Sequence, residues 1–194
     1  MPSRIVTSTS PNEPLGPFEL GRLAVRAERV YAPYAGRNVV NQIRVIKEAR
    51  RVAVLQRAIE IAVEAHRDQV DKAGAPYVLH PLRLMLRVSG NDAMIAAVLH
   101  DVVEDTDWTL DRLRREGFSE TVLVAIDCLT RRDGETYEEF IERAAANPVA
   151  RRVKLADLED NMDIRRIRML GPNAHDRLAR YHAAWYRLSE DAPA

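Results

Sequence analysis

The sequence has 194 residues, and its 29 lysines and arginines balance 29 aspartates and glutamates, so the formal net charge is zero. A neutral chain gives no bulk electrostatic reason to bind nucleic acid or an anionic membrane, so an anionic ligand needs a local site. Hydrophobic residues make up 46% and charged residues 30%, as in globular proteins, and no uncharged apolar run approaches the ~18 residues of a membrane span. We therefore expect a cytoplasmic protein.

Helical periodicity dominates the chain after its first segment. Residues 1–17 are rich in Ser, Thr and Pro and predict a flexible tail, which leaves 18–194 as one domain. Aromatic residues make up only 6%, and leucine, alanine, arginine and glutamate are frequent, which favours helix. The predicted fold class is all-α, a helical bundle with short loops. The predicted helices span 18–31, 39–69 (one bent helix or two), 81–89, 92–104, 109–116, 119–130, 136–146, 148–161 and 173–189.

Four ionisable residues interrupt an apolar run at 96–108, AAVLHDVVEDTDW. His100 and Glu104 are four residues apart, as are Asp101 and Asp105, so each pair would lie on one face of a helix. Burying such groups unpaired is costly, whereas a bound cation turns neighbouring carboxylates into ligands. The segment therefore predicts a metal site.

Two further segments supply matching groups. KLADLEDNM at 154–162 places Asp157 and Asn161 four residues apart, and YVLHP at 77–81 contributes His80 at a predicted helix entrance. Two histidines with two aspartates form a mixed nitrogen and oxygen donor set, which suits a divalent ion such as manganese, iron or zinc. Either acidic segment alone is better explained as a solvated helix end, but the combination is not.

In this order, HP at 80, LHDVVEDT at 99–106 and KLADLEDNM resemble the HD metal-dependent phosphohydrolase superfamily. Within it they most resemble the guanosine tetraphosphate hydrolase domain of the RelA/SpoT group and its small stand-alone, Mesh1-like homologues, over about residues 50–170. The resemblance implies an HD-type bundle that removes the 3′-diphosphate of guanosine tetra- or pentaphosphate, giving GDP or GTP and pyrophosphate.

The resemblance also implies roles for the motif residues. Glu104 and Asp105 match the acidic pair that orients and activates the attacking water. One divalent ion is implied, typically Mn²⁺, with Fe²⁺, Zn²⁺ or Mg²⁺ as alternatives. Its implied ligands are His80, His100, Asp101 and Asp157.

Substrate binding is expected from a further group of residues. Asn161 matches an asparagine beside the nucleotide, and Lys72 matches a lysine of the family's basic run. His66 is either a group that hydrogen-bonds ligand or phosphate, or a structural histidine. Arg165 is a candidate to offset acidic groups at the rim. The partner implied is a small phosphorylated nucleotide, with no nucleic acid, no membrane and a possible homo-oligomer.

Two departures from the family pattern bear on the substrate. Val70 and Asp71 stand where these hydrolases usually carry basic residues, one of which stacks on guanine. Acidic residues also follow Asp157, in the segment Leu158–Asp160, where the family often has a basic residue. We expect them to make the rim more negative, which disfavours a highly phosphorylated substrate.

Two alternative functions follow. The same catalyst could act on another nucleotide or phosphate ester, such as NADPH or a 3′-phosphorylated adenosine compound. A non-catalytic regulatory module that binds nucleotide or protein is the other alternative, although Glu104 and Asp105 have no purpose in a pure binder.

Overall fold

The structure, a computed structural model, describes residues 37–166 and 171–190. These residues form helices and one isolated β-bridge, between Val70 and Pro76, which confirms the all-α prediction. The predicted tail at 1–17 and helix at 18–31 lie outside the described residues. The helices are α1 (Arg37–Ala65), α2 (Leu79–Arg87), α3 (Asn91–Leu99), α4 (Val102–Asp105), α5 (Leu110–Arg115), α6 (Glu120–Leu129), α7 (Tyr137–Ala145), α8 (Pro148–Met162) and α9 (Ala174–Glu190), with a 3₁₀ turn at Ile164–Arg166.

The chain divides into two compact units, residues 1–53 and 54–194. The described part of the first unit, residues 37–53, belongs to α1, which is one helix where the sequence allowed one or two. The predicted domain 18–194 stays a prediction, because its boundary falls outside the described ranges. Within those ranges, no helix combines the length and apolar character needed to cross a membrane.

The larger core of the second unit surrounds α3. This helix, NDAMIAAVL, is apolar on nearly every face, and its residues from Ile95 to Leu99 are all buried. A helix that is hydrophobic all round is stable only inside a protein. Neighbouring helices cover it with side chains such as Ile61, Leu84 and Ile126. The end of α3, where His100 follows, therefore lies inside the molecule.

A smaller core joins the last three helices. Phe140 and Ile141 of α7 pack with Leu158 of α8 and with Ala184 and Leu188 of α9. This cluster buries one side of α8 while the larger core buries another. As a result, α8 and its acidic segment lie between the two cores.

Side-chain caps fix the starts of four helices at the places the sequence indicated. The Oγ atoms of Thr109, Ser119 and Thr136 each accept a hydrogen bond from a backbone N–H of the following turn. Asn147 does the same before α8, which begins with Pro148. Such caps satisfy N–H groups that have no partner within the helix, which explains why these predicted boundaries agree closely with the structure.

The predicted helix 92–104 is wrong in one respect, since it is divided into α3 and α4. His100 and Asp101 occupy the junction with near-helical backbone, and Asp101 has φ −97° and ψ −6°. Successive side chains of a regular helix point roughly 100° apart. The irregular junction lets the two neighbouring side chains face one site.

The connection between α6 and α7 depends on a paired carboxylate, and we expect it to weaken in acid. Glu135 makes two 2.7 Å contacts with the guanidinium of Arg143, and this bonding lowers its pKa to about 2. The pKa of Glu135 in the folded protein lies below its ordinary value of 4.5. The ion pair therefore stabilises the fold fully above about pH 4.5, and this stabilisation is lost as the pH falls towards 2. Glu135→Gln should lower the free energy of unfolding by about 1–2 kcal/mol at pH 7. Urea unfolding at several pH values should show that this difference from wild type disappears near pH 2. A constant difference would contradict this.

Candidate metal centre

The predicted metal ligands come from three parts of the chain and lie together in the protein interior. His80 comes from α2, His100 follows α3, and Asp157 lies in α8, and one ligand atom of each lies within 4.8 Å of the others. All three residues are buried. Asp101 joins them, with Oδ2 at 2.9 Å from His100 Nε2 and 3.9 Å from His80 Nε2. The structure thus brings the four predicted metal ligands together.

Hydrogen bonds orient both imidazoles. His80 Nδ1 lies 2.8 Å from Asp160 Oδ2, while its Nε2 lies 3.2 Å from Asp157 Oδ1. His100 Nδ1 lies 2.9 Å from the carbonyl oxygen of Ala97. Carbonyl and carboxylate oxygens accept hydrogen bonds, so Nδ1 is the donor in each ring. Nε2 then faces the carboxylates, which is the arrangement of metal-binding histidines.

The donor set fits a divalent cation. Nε2 of His100 is buried and lies 2.9 Å from Asp101 Oδ2 without the alignment of a hydrogen bond, so its lone pair can bind a cation once the ring is neutral. The carboxylates of Asp101 and Asp157 approach the same imidazoles, and their mutual repulsion favours a positive partner. Imidazole nitrogens combined with carboxylate oxygens suit divalent first-row metals.

Neighbouring groups set the charges of the cluster. Burial alone would raise the pKa of Asp101, but the adjacent His100 lowers it to about 2. Burial acts in the same direction on Asp157, whose pKa is nevertheless held low by Lys154, with Nζ 2.7 Å from Oδ2. Burial would lower the pKa of His80, yet hydrogen bonds to two aspartates raise it to about 9. The carboxylates are therefore ionised, and His80 Nε2 must release a proton to bind a cation.

Asp160 is a buried anchor that the sequence did not identify. Its side chain is fully buried and contacts His80 Nδ1, and Arg83 donates to it from Nε and Nη2 at 2.8 Å each. Arg166 Nη2 lies 3.1 Å from Oδ2. The expectation that Glu159 and Asp160 make the rim negative is wrong, because Asp160 is buried and neutralised by these cations, while the exposed Glu159 lines neither of the two cavities described below.

The two predicted catalytic acids lie beside the cluster in different surroundings. Glu104 is exposed, and its Oε2 accepts a hydrogen bond from the backbone N–H of Arg131 at 2.9 Å. Asp105 Oδ2 lies 3.4 Å from the hydroxyl of Tyr77, which donates to Asp101 Oδ2 at 2.5 Å. Burial, followed by the charge of Asp101, raises the pKa of Asp105. Asp105 therefore holds a proton more readily than an ordinary aspartate.

Two cavities flank the cluster. The loop-side cavity, of about 370 Å³, lies against the loop between α1 and α2, where Lys72, Tyr77, Arg166 and Arg177 line it. The α7-side cavity, of about 260 Å³, is lined outside the cluster chiefly by Arg131, Tyr137, Phe140, Lys154 and Arg180. Both cavities are also lined by Asp101, Glu104, Asp157, Asn161 and Tyr181.

The predicted substrate-binding residues have different positions. Lys72 and Asn161 line the loop-side cavity, and Asn161 Nδ2 donates to Asp157 Oδ1 at 2.5 Å. His66 is buried behind Tyr77, 4.8 Å away between ring centroids, with Nδ1 2.9 Å from Gln69 Oε1. Its Nε2 makes no hydrogen bond with the described residues.

Arg165 lies outside both cavities, contrary to the expectation that it offsets acidic groups there. Its side chain is 86% exposed and bonds the carboxylate of Asp163 at 2.7 Å. The neighbouring Arg166 lines the loop-side cavity instead. The 3₁₀ turn points the two adjacent arginines in different directions, which the sequence pattern does not reveal.

Asp71 has a structural explanation. Its Oδ1 accepts hydrogen bonds from the backbone N–H groups of Ala73 and Ala75, at 2.8 and 3.0 Å. Its Oδ2 lies 3.2 Å from Arg166 Nη1. Asp71 therefore shapes the loop and is itself neutralised by Arg166, whereas Val70 beside it is 66% exposed.

Sequence comparisons identify relatives of the chain. No protein-family model matches it. It is 37% identical over 142 residues to a probable GTP pyrophosphokinase of Mycobacterium leprae, which covers 66% of this chain and 18% of the relative. It is 35% identical over 120 residues to the guanosine-3′,5′-bis(diphosphate) 3′-pyrophosphohydrolase of Aquifex aeolicus, covering 56% of this chain and 17% of that protein. The chain thus spans about a fifth of the length of these relatives.

A solved structure has the same fold. It is described as a metazoan ortholog of SpoT that hydrolyzes ppGpp and plays a role in starvation responses. The two structures superimpose with a TM-score of 0.61 at 24% sequence identity, and the match covers 73% of this chain and 88% of the other. The similarity to this structure shows the helical fold that the sequence predicted. The sequence relatives and this shared fold confirm the predicted resemblance to the RelA/SpoT type of hydrolase domain.

Proposed function

We propose that the chain is a metal-dependent phosphohydrolase that removes the 3′-diphosphate of guanosine tetra- or pentaphosphate, giving GDP or GTP and pyrophosphate. The observation that carries this proposal is the buried cluster of His80, His100 and Asp157, with both imidazoles oriented by their Nδ1 atoms and a cavity beside them whose lining includes Lys72, Arg166 and Arg177. The names of the Aquifex relative and of the similar structure support the choice of substrate.

The proposed ligands of the ion are His80, His100, Asp101 and Asp157, and we propose manganese as the metal. When bound, such an ion lowers the pKa of water and polarises a phosphoryl oxygen. Glu104 accepts the proton of the attacking water, because its carboxylate is accessible and is positioned through Oε2 by the backbone of Arg131. Asp105 is proposed to orient that water.

The loop-side cavity is proposed to bind the nucleotide. Burial, together with the nearby charge of Arg177, lowers the pKa of Lys72. A lysine whose charge is disfavoured by burial and by a neighbouring cation is stabilised when an anion binds beside it. Lys72, Arg177 and Asn161 therefore contact phosphate or ribose oxygens in this proposal, and Tyr181 offers an aromatic face to the base.

A second candidate keeps the catalyst and changes the substrate to another nucleotide, such as NADPH or a 3′-phosphorylated nucleotide. The exposed Val70 and the loop-bound Asp71 favour it, since neither supplies the cationic plane of an arginine that stacks on a base.

Product release across a nucleotide panel tests the proposal. Purified protein with manganese is expected to release pyrophosphate from guanosine tetraphosphate, and chelation of the metal should remove the activity. Inorganic phosphate and pyrophosphate are measured separately for guanosine tetraphosphate, NADPH, 3′-phosphorylated adenosine nucleotides and GTP. Release of phosphate from NADPH, without release of pyrophosphate from guanosine tetraphosphate, would establish the second candidate. If the metal-loaded protein hydrolyses none of these nucleotides, the chain is a binding module.

A further inference from the structure

The α7-side cavity has a charge distribution that the proposed catalyst does not require. Its carboxylates are Asp101, Glu104 and Asp157, all of which belong to the metal cluster or to the water-activating pair. The remaining described residues that line it contribute no acidic group. They contribute three cations instead, namely Arg131, Arg180 and Lys154, of which Lys154 also pairs with Asp157 at 2.7 Å.

Each of these cations contacts an aromatic ring or a backbone carbonyl, and Arg131 and Arg180 are also exposed to solvent. The guanidinium of Arg180 lies 5.3 Å from the ring centroid of Tyr137, and Lys154 Nζ lies 4.8 Å from that of Phe140. Arg131 Nη2 donates to the carbonyl oxygen of Glu135 at 3.0 Å. Cations that are held in advance bind an anion at a lower entropic cost than free surface side chains.

The cavity also contains an unsatisfied donor. The hydroxyl of Tyr137 is buried and makes no hydrogen bond within the described part of the chain. Buried hydroxyls normally have a partner, and an exception points to an absent ligand or water. A phosphate oxygen is an acceptor suited to this hydroxyl and to the neighbouring cations.

We propose that the α7-side cavity binds the terminal phosphate of the 3′-diphosphate and so selects a diphosphate over a monophosphate. The inference rests on the proposed function. A phosphorus at the cluster lies where the two cavities meet, since both share Asp101, Asp157 and Asn161. The nucleoside then occupies the larger cavity, and the second phosphoryl group occupies the smaller, cationic one.

Hydrolysis is balanced in this arrangement. The water oxygen forms a bond to the phosphorus attached to O3′, and the bond between that phosphorus and O3′ breaks. The water proton passes to Glu104, O3′ takes a proton from solvent, and Glu104 returns its own to solvent. Pyrophosphate is left with its far phosphate among Arg131, Lys154 and Arg180.

Calorimetric titrations separate the two cavities. Inorganic pyrophosphate, inorganic phosphate and GDP are titrated separately, into metal-free and into manganese-loaded protein. Wild type should bind pyrophosphate more tightly than phosphate. Arg180→Ala and Arg131→Ala should each weaken pyrophosphate binding by about tenfold, as expected for one charge-assisted contact, and leave GDP binding within about twofold. Tyr137→Phe, which keeps the ring beneath Arg180, should also weaken pyrophosphate binding.

Arg115→Ala is the matched control, because this exposed arginine of α5 lines neither cavity. Unchanged pyrophosphate binding in both cavity variants, or equal weakening of pyrophosphate and GDP, would overturn the inference. A protein that binds pyrophosphate as expected but releases none from guanosine tetraphosphate would refute the proposed function and leave the anion site standing.

Discussion

Alanine in place of Asp101 is expected to remove both the metal ion and the turnover, whereas glutamine in place of Glu104 should keep the ion and lose the turnover. Asp101 Oδ2 lies 2.9 Å from His100 Nε2 inside the cluster, while Glu104 lies at the accessible edge. Even groups that only support a metal ligand are worth about 10–100-fold in affinity. Loss of a ligand should therefore lower metal affinity by more than about 100-fold.

Glu104→Gln should lower kcat by about 10²–10⁴-fold, which is the usual contribution of a general base. Metal content after desalting and steady-state pyrophosphate release are the two measurements. Asp111→Asn is a suitable control, since this exposed aspartate of α5 pairs with Arg114 and lines neither cavity. If Asp101→Ala and Glu104→Gln lost the ion equally, the division between ligand and base would be wrong.

Alanine in place of Asp160 is expected to destabilise the fold and to weaken the metal site together. The change leaves Arg83, Arg166 and His80 without their shared acceptor. Breaking a buried ion pair typically costs about 3–5 kcal/mol. The side chains of Arg83 and Arg166 are 27% and 28% exposed and can turn towards water, so we expect the lower end, about 3 kcal/mol.

His80 also loses the group that orients its ring, so metal affinity should fall by about 10–100-fold. Urea unfolding of the metal-free protein measures the first effect, and metal titration of the folded variant measures the second. Glu159→Ala is the matched control on the same helix, because its carboxylate is exposed and contacts Trp185 Nε1 at 3.1 Å. It should change stability by no more than about 0.5 kcal/mol. Similar behaviour of the two variants would show that Asp160 is not an anchor.

The sequence predicted the helices well where local chemistry determines them. Thr136 and Asn147 cap helices whose apolar periodicity begins at the next residue, so the start of each is encoded within one turn. The division at His100 and Asp101 was not predictable in this way. Both residues are compatible with helix, and their irregular position results from convergence with His80 and Asp157 at the site.

The four proposed metal ligands could be selected from the sequence because their residue types and order are distinctive, whereas their supporting groups could not. In the sequence, Asp160 resembles an ordinary acidic residue of a polar turn. Only the structure shows that it is buried and paired with Arg83. Lys154 lies three residues before Asp157, a spacing that allows an ion pair on a helix. The sequence does not show that both side chains are buried, which strengthens the interaction between their charges. Tyr181 lies far along the chain, and its place in both cavities depends on how α9 packs against α8.

The apolar character of α3 limits how this protein can be altered by evolution or by design. The helix supplies the centre of the larger core, and the carbonyl oxygen of Ala97 within it orients the ring of His100. Substitutions that repack α3 for higher thermal tolerance would shift that carbonyl and the imidazole with it. We therefore expect thermostable descendants to accumulate their changes elsewhere, on the exposed faces of α5 and α9, and to keep the interior sequence around Ala97 nearly constant.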